Sequence, residues 1–156
     1  MQEIEIILKN SKTIAMIGVS SLKEKEDRTN LKRKPSTIVM KYMQEFGYKV
    51  IPVNPFAVGE IIHGEKVVAK LSDINEKIDI VNVFRPSKET PEIAEDAVKI
   101  NAKVLWLQYG IKNDAAEKIA NDAKIKYISN RCIKQDYQNI CLLYTSPSPR
   151  DSDTSR

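Results

Sequence analysis

The chain has 156 residues, 42% of them hydrophobic and 29% charged, with a formal net charge of +4. That is enough for one domain with a real core and too few for two ordinary ones. No apolar run approaches the roughly 20 residues that span a bilayer, and Met1-Gln2-Glu3-Ile4-Glu5 lacks the basic flank and apolar block of a secretory leader, so no membrane association and a cytoplasmic location are expected.

Aromatic residues make up 6% of the chain and none interleaves with the basic run of residues 23–34, which carries six basic and three acidic side chains. Nucleic-acid binding needs a broader basic face with stacking residues, so a small polyanionic ligand is the better expectation. The two cysteines, Cys132 and Cys141, pair with no histidine at metal-ligand spacing. No metal site and no thiol-protease triad is expected, and a reducing compartment fits.

In chain order, Ile4, Ile7 and Leu8 recur at helical spacing and predict a short helix over 2–10. Thr13 to Val19 reads as a buried strand. A helix over about 36–46 presents Ile38, Val39, Tyr42, Met43 and Phe46, and Gly47 ends it. Tyr48 to Val53 is the next strand, with Pro52 implying a local irregularity and Asn54-Pro55 a turn. Residues 59–65 read as a loop or short excursion containing His63, expected to be a loop or structural residue. Val67-Val68 reads as extended, and Leu71 to Ile74 as a short helical turn.

Ile78 to Phe84 is the third long strand, ending at Arg85-Pro86. Ser87 is the expected N-cap of a helix over 89–101, with Ile93, Ala94, Ala97, Val98 and Ile100 as its buried face. Lys103 to Gln108 is a strand leaving at Gly110, with Trp106 expected in the core. Asn113 caps a helix over 114–123, and Lys124 to Ser129 is the last strand. Strands alternating with helices, apolar on both faces, predict a doubly wound Rossmann-like parallel sheet of about five strands with helices on both faces. The first strand is expected near the middle with the order reversing beside it, which puts a ligand crevice at the carboxyl ends.

After Ile140 the character changes to a Pro-, Ser- and Thr-rich tail. Residues 141–156 are expected to be disordered and not native, since the tail resembles adapter DNA read in frame. Residues 1–140 are taken as the domain.

Several residues converge on the crevice. Gly18-Val19-Ser20-Ser21 follows the first strand, where a small-residue turn lets a ligand approach and Ser hydroxyls and free N–H groups bind phosphate; an ordinary strand exit reads equally well. No Gly-x-Gly-x-x-Gly and no Walker sequence is present, which disfavours the common dinucleotides and nucleoside triphosphates. Arg28, Lys32, Arg33 and Lys34 precede the helix start at Pro35-Ser36, as a phosphate cradle would require; a solvated charged loop is the other reading. Asn54-Pro55 and Phe84-Arg85 end two further strands, with simple strand termination and a surface ion pair as their plain readings. Gln108 is placed to read a polar group of a ligand. Cys132 reads as a reactive thiol or, with no basic partner in view, as an inert one.

The order and spacing of Ile17-Gly18-Val19-Ser20, Lys34-Pro35-Ser36, Gly47 to Pro55, Val81 to Arg85, Val104 to Gly110 and Asn130-Arg131-Cys132 resemble the small stand-alone CoA-binding proteins. That family is similar to the CoA-binding domain of succinyl-CoA synthetase. The resemblance covers Ser11 to about Gln135. It implies coenzyme A, or an acyl-CoA, lying across the strand ends. Gly18, Val19, Ser20 and Pro35-Ser36 would then approach the pyrophosphate and ribose, and Asn54-Pro55 and Phe84-Arg85 would border the adenosine or pantetheine path. Family members often have a shorter loop than 21–34, with an Arg where Lys34 stands. The synthetases use a phosphorylated His in a Gly-His-Ala-Gly-like segment; His63 is in no such context, so ligase activity is not expected. The expected function is non-catalytic binding of CoA by Gly18, Val19, Ser20, Ser21, Arg33, Lys34, Pro35, Ser36, Asn54, Pro55, Phe84, Arg85, Gln108 and Gly110, with a protein partner left open. The alternative is an enzyme or redox protein using CoA or NAD(P) on the same fold, with Cys132 as a reactive thiol.

Overall fold

The computed structural model describes residues 2–20 and 35–145. In chain order the elements are α1 (Gln2–Asn10), β1 (Thr13–Ile17), α2 (Pro35–Glu45), β2 (Lys49–Val53), β3 (Ile61–Ile62), β4 (Glu65–Lys66), β5 (Ile80–Val83), α3 (Thr90–Lys99), β6 (Val104–Leu107), α4 (Asp114–Asp122), β7 (Lys126–Ile128) and α5 (Ile133–Thr145). Five strands form one parallel sheet in the order β2-β1-β5-β6-β7, and β3 and β4 make a separate antiparallel hairpin. The expected doubly wound sheet is present. β1 lies second from one edge rather than at the centre. The order reverses between β1 and β5, because the chain steps outward from β1 to β2 and then builds β5, β6 and β7 on the other side.

Side-chain alternation along the strands divides the interior in two. Ile14, Met16, Val50, Ile80, Val104 and Trp106 pack with Leu8 of α1, Met40 and Met43 of α2, and Ile133 and Ile140 of α5. Ala15, Ile17, Ile51, Val53, Val81, Val83, Leu105 and Leu107 pack with Ala94 and Ala97 of α3 and Ala116 and Ala120 of α4. Each large apolar side chain fully buried this way contributes about 1.5–3 kcal/mol. α3 and α4 pack closely against each other, with small alanines on the faces they bury. Among the described residues no helix is long and apolar enough to cross a membrane.

Pro52 produces no break. Lys49 N donates to the Lys12 carbonyl toward β1, so by alternation residue 52 turns its nitrogen to the outer side, where proline loses nothing. The outer side is covered at this point: Val68 N donates to the Pro52 carbonyl at 3.1 Å and Asn54 N to the Val68 carbonyl at 2.9 Å. At the opposite end of the sheet, the Asp79 carboxylate accepts from the backbone N–H groups of Lys12 and Thr13 at 2.7 and 3.2 Å and faces Lys103 Nζ at 3.5 Å.

Two local expectations change. Ser87 does not cap α3. It begins a 3-10 turn over Ser87–Glu89, its carbonyl accepts from Thr90 Oγ1 at 2.6 Å, and α3 starts after Glu89, with Pro91 in its first turn where no N–H is needed. Order does not end at residue 140. α5 continues through Thr145: Ile133 and Ile140 are buried two turns apart and Tyr137 packs edge-on against Tyr42 and Tyr48, so the helix propagates past the change in composition. Asn113 caps α4 as expected, accepting from Ala116 N at 3.0 Å.

Candidate functional site

The carboxyl ends of β1, β2, β5 and β6 meet at the reversal in strand order, with the start of α2 beside them. Gly18 leaves β1 with φ +91° and donates to the Val53 carbonyl at 2.8 Å. A Cβ here would lie 2.8 Å from Arg85 Cδ and 3.0 Å from the Phe84 carbonyl oxygen. The missing side chain therefore admits the exit of β5, the protein's own chain. Val19 is buried, and its carbonyl accepts from Asn54 Nδ2 at 2.8 Å. Ser20 N donates to Ser36 Oγ at 3.0 Å, which ties the end of β1 to the first turn of α2.

Two cavities flank this junction, one on each face of the sheet. The first, about 190 Å³, is bordered by Gly18, Asn54, Pro55, Arg85, Glu89 and Glu92. Arg85 is forked onto Glu89, Nε to Oε1 and Nη2 to Oε2, both at 2.9 Å. This hydrogen bonding pulls the Glu89 carboxyl below its usual range and raises the Arg85 guanidinium, against a smaller opposing effect of burial on each. Glu92 and Asp96 add two more carboxylates, while Lys70 is the one further cation among the residues that line it. The balance is acidic, which disfavours a phosphate here.

The second cavity, about 660 Å³, lies on the α2 and α5 side. Its walls include Pro35 and Val39 of α2, Phe84 after β5, Ile111 after β6, and Cys132 and Gln135 at the start of α5. Gln108 stands in its wall only 5% exposed. Its Oε1 accepts from Asn82 Nδ2 at 3.1 Å and from Ile133 N at 3.0 Å. Asn82, on β5 and fully buried, also donates to the Trp106 carbonyl at 3.3 Å. Both amides are thereby oriented. Turning Gln108 over would face Nε2 to two donors, and turning Asn82 over would face Oδ1 to a carbonyl and to Gln108 Oε1. Gln108 Nε2 has no partner among the described residues.

The segment before α5 is clamped in place. Trp106 Nε1 donates to the Arg131 carbonyl at 2.8 Å, and Arg131 forks onto the buried Asp136 at 2.8 and 2.9 Å. Cys132 sits between this clamp and the Ile133 N–H held by Gln108.

The expected site residues thus separate into groups. Gly18, Asn54, Pro55 and Arg85 border the acidic cavity; Pro35, Phe84 and Gln108 border the larger one. Ser20 and Ser36 are joined between them, and Val19 lies beneath in the core. Gly110, with φ +86°, donates to Asn130 Oδ1 at 2.7 Å and borders neither cavity. Ser21, Arg33 and Lys34 lie outside the described residues. Sequence reasoning missed Asn82, because one polar residue in an apolar strand carries no sign of its partner. It also missed the acidic face of α3, where Glu89, Glu92 and Asp96 gather by helical spacing alone. His63 Nε2 meets the Thr37 carbonyl at 3.1 Å, and His63 borders neither of these two cavities. No cluster of potential metal ligands occurs among the described residues.

An open parallel sheet with its crevice at a reversal of strand order defines the Rossmann-like class of binding folds. Within that class the chain belongs to the CoA binding domain family, whose model matches residues 12–138. YneT of Bacillus subtilis (strain 168) is 41% identical over 132 residues, covering 85% of this chain and 90% of that protein. Among solved structures, cell-free ID.343 from Thermus thermophilus superposes with a TM-score of 0.79 at 33% identity, covering 89% of this chain and 97% of that one. A protein from Pyrococcus horikoshii OT3 superposes with a TM-score of 0.78 at 36% identity, covering 90% and 91%.

Proposed function

We propose that the protein is a non-catalytic binding module for coenzyme A or an acyl-CoA, held across the carboxyl ends of the parallel strands. Family membership supports the ligand class. The observation that carries the reading is Gln108: an oriented, deeply buried amide whose Nε2 hydrogens have no partner among the described residues, in the wall of a mainly apolar cleft. A pantetheine arm alternates methylenes with amide carbonyls, so apolar walls with an isolated donor match it. The first turn of α2 beside the cleft offers backbone N–H groups to the pyrophosphate. Arg33 and Lys34 precede that turn in the sequence and supply charge for the 3′-phosphate in this reading, and Ser21 supplies a hydroxyl. The glycine exit of β1 is filled by Phe84 and Arg85 rather than left open, which argues against a dinucleotide seated as on a glycine fingerprint.

The same reading makes the protein cytoplasmic, with a small molecule rather than a nucleic acid or a membrane as its partner.

Calorimetric titration of the full chain with CoA, dephospho-CoA, NAD and ATP tests this. CoA is expected to bind tightest, and removal of its 3′-phosphate to weaken it. Equal affinity for CoA and dephospho-CoA would remove the role given to Arg33 and Lys34; no CoA binding at all would overturn the reading. A second reading, a redox protein whose Cys132 forms a mixed disulfide with CoA, is favoured by the position of Cys132 in the same cleft. A Cys132 that resists thiol labelling in the folded protein would exclude it.

A further inference from the structure

The cleft holds a thiol that simple binding leaves unused, on the same wall as the amide donor of Gln108. Cys132, half-buried, lines the wall, and its place in the chain is fixed on both sides, by the Trp106 bond to the Arg131 carbonyl and by the Gln108 bond to the Ile133 N–H. Gln108 presents two amide hydrogens that have no acceptor among the described residues, and Asn82 holds them in that orientation from below. A thiol and a preoriented donor in one apolar cleft are the parts that acyl transfer from a thioester needs: a nucleophile, and a hydrogen-bond donor where negative charge develops on the carbonyl oxygen.

We propose that Cys132 accepts the acyl group of a short acyl-CoA bound in this cleft, with Gln108 Nε2 donating to the thioester carbonyl. The inference rests on the CoA-binding reading and goes beyond it. Cys132 Sγ attacks the carbonyl carbon, and a new carbon–sulfur bond forms as the oxygen becomes an oxyanion held by Gln108. Collapse breaks the bond to the CoA sulfur, and the proton lost by Cys132 ends on the departing CoA thiol. One thioester replaces another, so no oxidant, reductant or water is consumed and the exchange runs in either direction. Val39, Phe84 and Ile111 give the acyl chain apolar walls. Gln108 is the catalytic donor in this scheme, and Asn82 is a positioning residue.

The test incubates the full chain with acetyl-CoA and follows acetylation of each cysteine by peptide mass mapping, with CoA affinity measured calorimetrically alongside. Cys141, two turns further along α5, serves as the internal reference. Cys132 is expected to acetylate well ahead of Cys141, and added free CoA to reverse it. Gln108→Met and Gln108→Glu are each expected to slow Cys132 acetylation by about a hundredfold, the usual effect of losing one oxyanion donor. Glu keeps the acceptor for Asn82 and Ile133, which guards against a folding defect in the Met variant. Asn82→Ser is expected to slow acetylation while leaving alkylation of Cys132 by iodoacetamide, which forms no oxyanion, at the parent rate; a purely structural role would move both. Equal rates at Cys132 and Cys141, or a rate indifferent to both Gln108 variants, would overturn the inference while CoA binding stands. Absence of CoA binding would overturn both readings.

Discussion

Asn54 and Val19 bind the exits of two neighbouring strands to each other: Asn54 Nδ2 donates to the Val19 carbonyl at 2.8 Å, while Asn54 Oδ1 accepts from Phe56 N at 2.8 Å. One side chain thus closes the turn after β2 and holds the end of β1 at the edge where the ligand is proposed to lie. Asn54→Leu removes both bonds and leaves the part-buried Val19 carbonyl unpaired, so it is expected to destabilise the protein by about 1–3 kcal/mol. Urea unfolding with an unchanged m-value checks this. Asn54→Asp keeps the turn acceptor and loses the donor to Val19, and is expected to fall between.

Gly18 carries a positive φ and has no room for a Cβ against Arg85 and Phe84. Gly18→Ala is expected to cost about 1–3 kcal/mol through backbone strain and crowding. Thermal unfolding should show a lower midpoint. An unchanged midpoint would mean that the exit of β5 yields without cost.

Arg85 is committed to Glu89 by two charge-assisted bonds, so a phosphate that recruits Arg85 must compete with that carboxylate. Both side chains are more than a third exposed, and the pair contributes under about 1 kcal/mol to stability. Glu89→Gln should therefore leave unfolding nearly unchanged while raising CoA affinity several-fold if Arg85 meets a phosphate. Unaltered affinity would assign Arg85 to the fold alone.

Asp79 provides a pH dependence. Burial works to raise its pKa, but the N–H groups of Lys12 and Thr13 and the Lys103 ammonium outweigh it and hold the carboxyl below its ordinary value. A carboxyl depressed in the folded state contributes stability above its unfolded pKa and loses it as pH falls through the folded one. Asp79→Asn is expected to be less stable at neutral pH by about 1–3 kcal/mol, and the difference should shrink as the pH is lowered below the ordinary carboxylate range. Stability curves for the two proteins that stay parallel through and below that range would contradict the assignment.

The expected strands and helices were legible because each carries a simple period. The apolar runs ending at Ile17, Val53, Val83 and Leu107 locate the strands, and Gly47 and Asn113 mark helix ends. α5 escaped notice because Ile133 and Ile140 bracket a polar stretch whose burial depends on Tyr42 and Tyr48, far off in the chain. Gln108 was legible as a site candidate from its place at a strand end, but its orientation was not. That depends on Asn82 from the neighbouring strand and on an N–H at the start of α5. Arg85 had a surface ion pair as its plain reading, and the fork onto Glu89 is such a pair.

By itself the sequence determined a parallel sheet wrapped by helices, a crevice at the strand ends, and a small-residue turn beside a helix start, since these follow from local periodicity and from residue types that end strands and begin helices. Only the tertiary structure decided that the space at Gly18 belongs to Phe84 and Arg85, that an acidic cavity and a mainly apolar cleft lie on opposite faces of one edge, and that Cys132 and Gln108 share the latter. Those relationships join residues from separate crossovers, and contacts between distant segments are set by packing that no local pattern encodes.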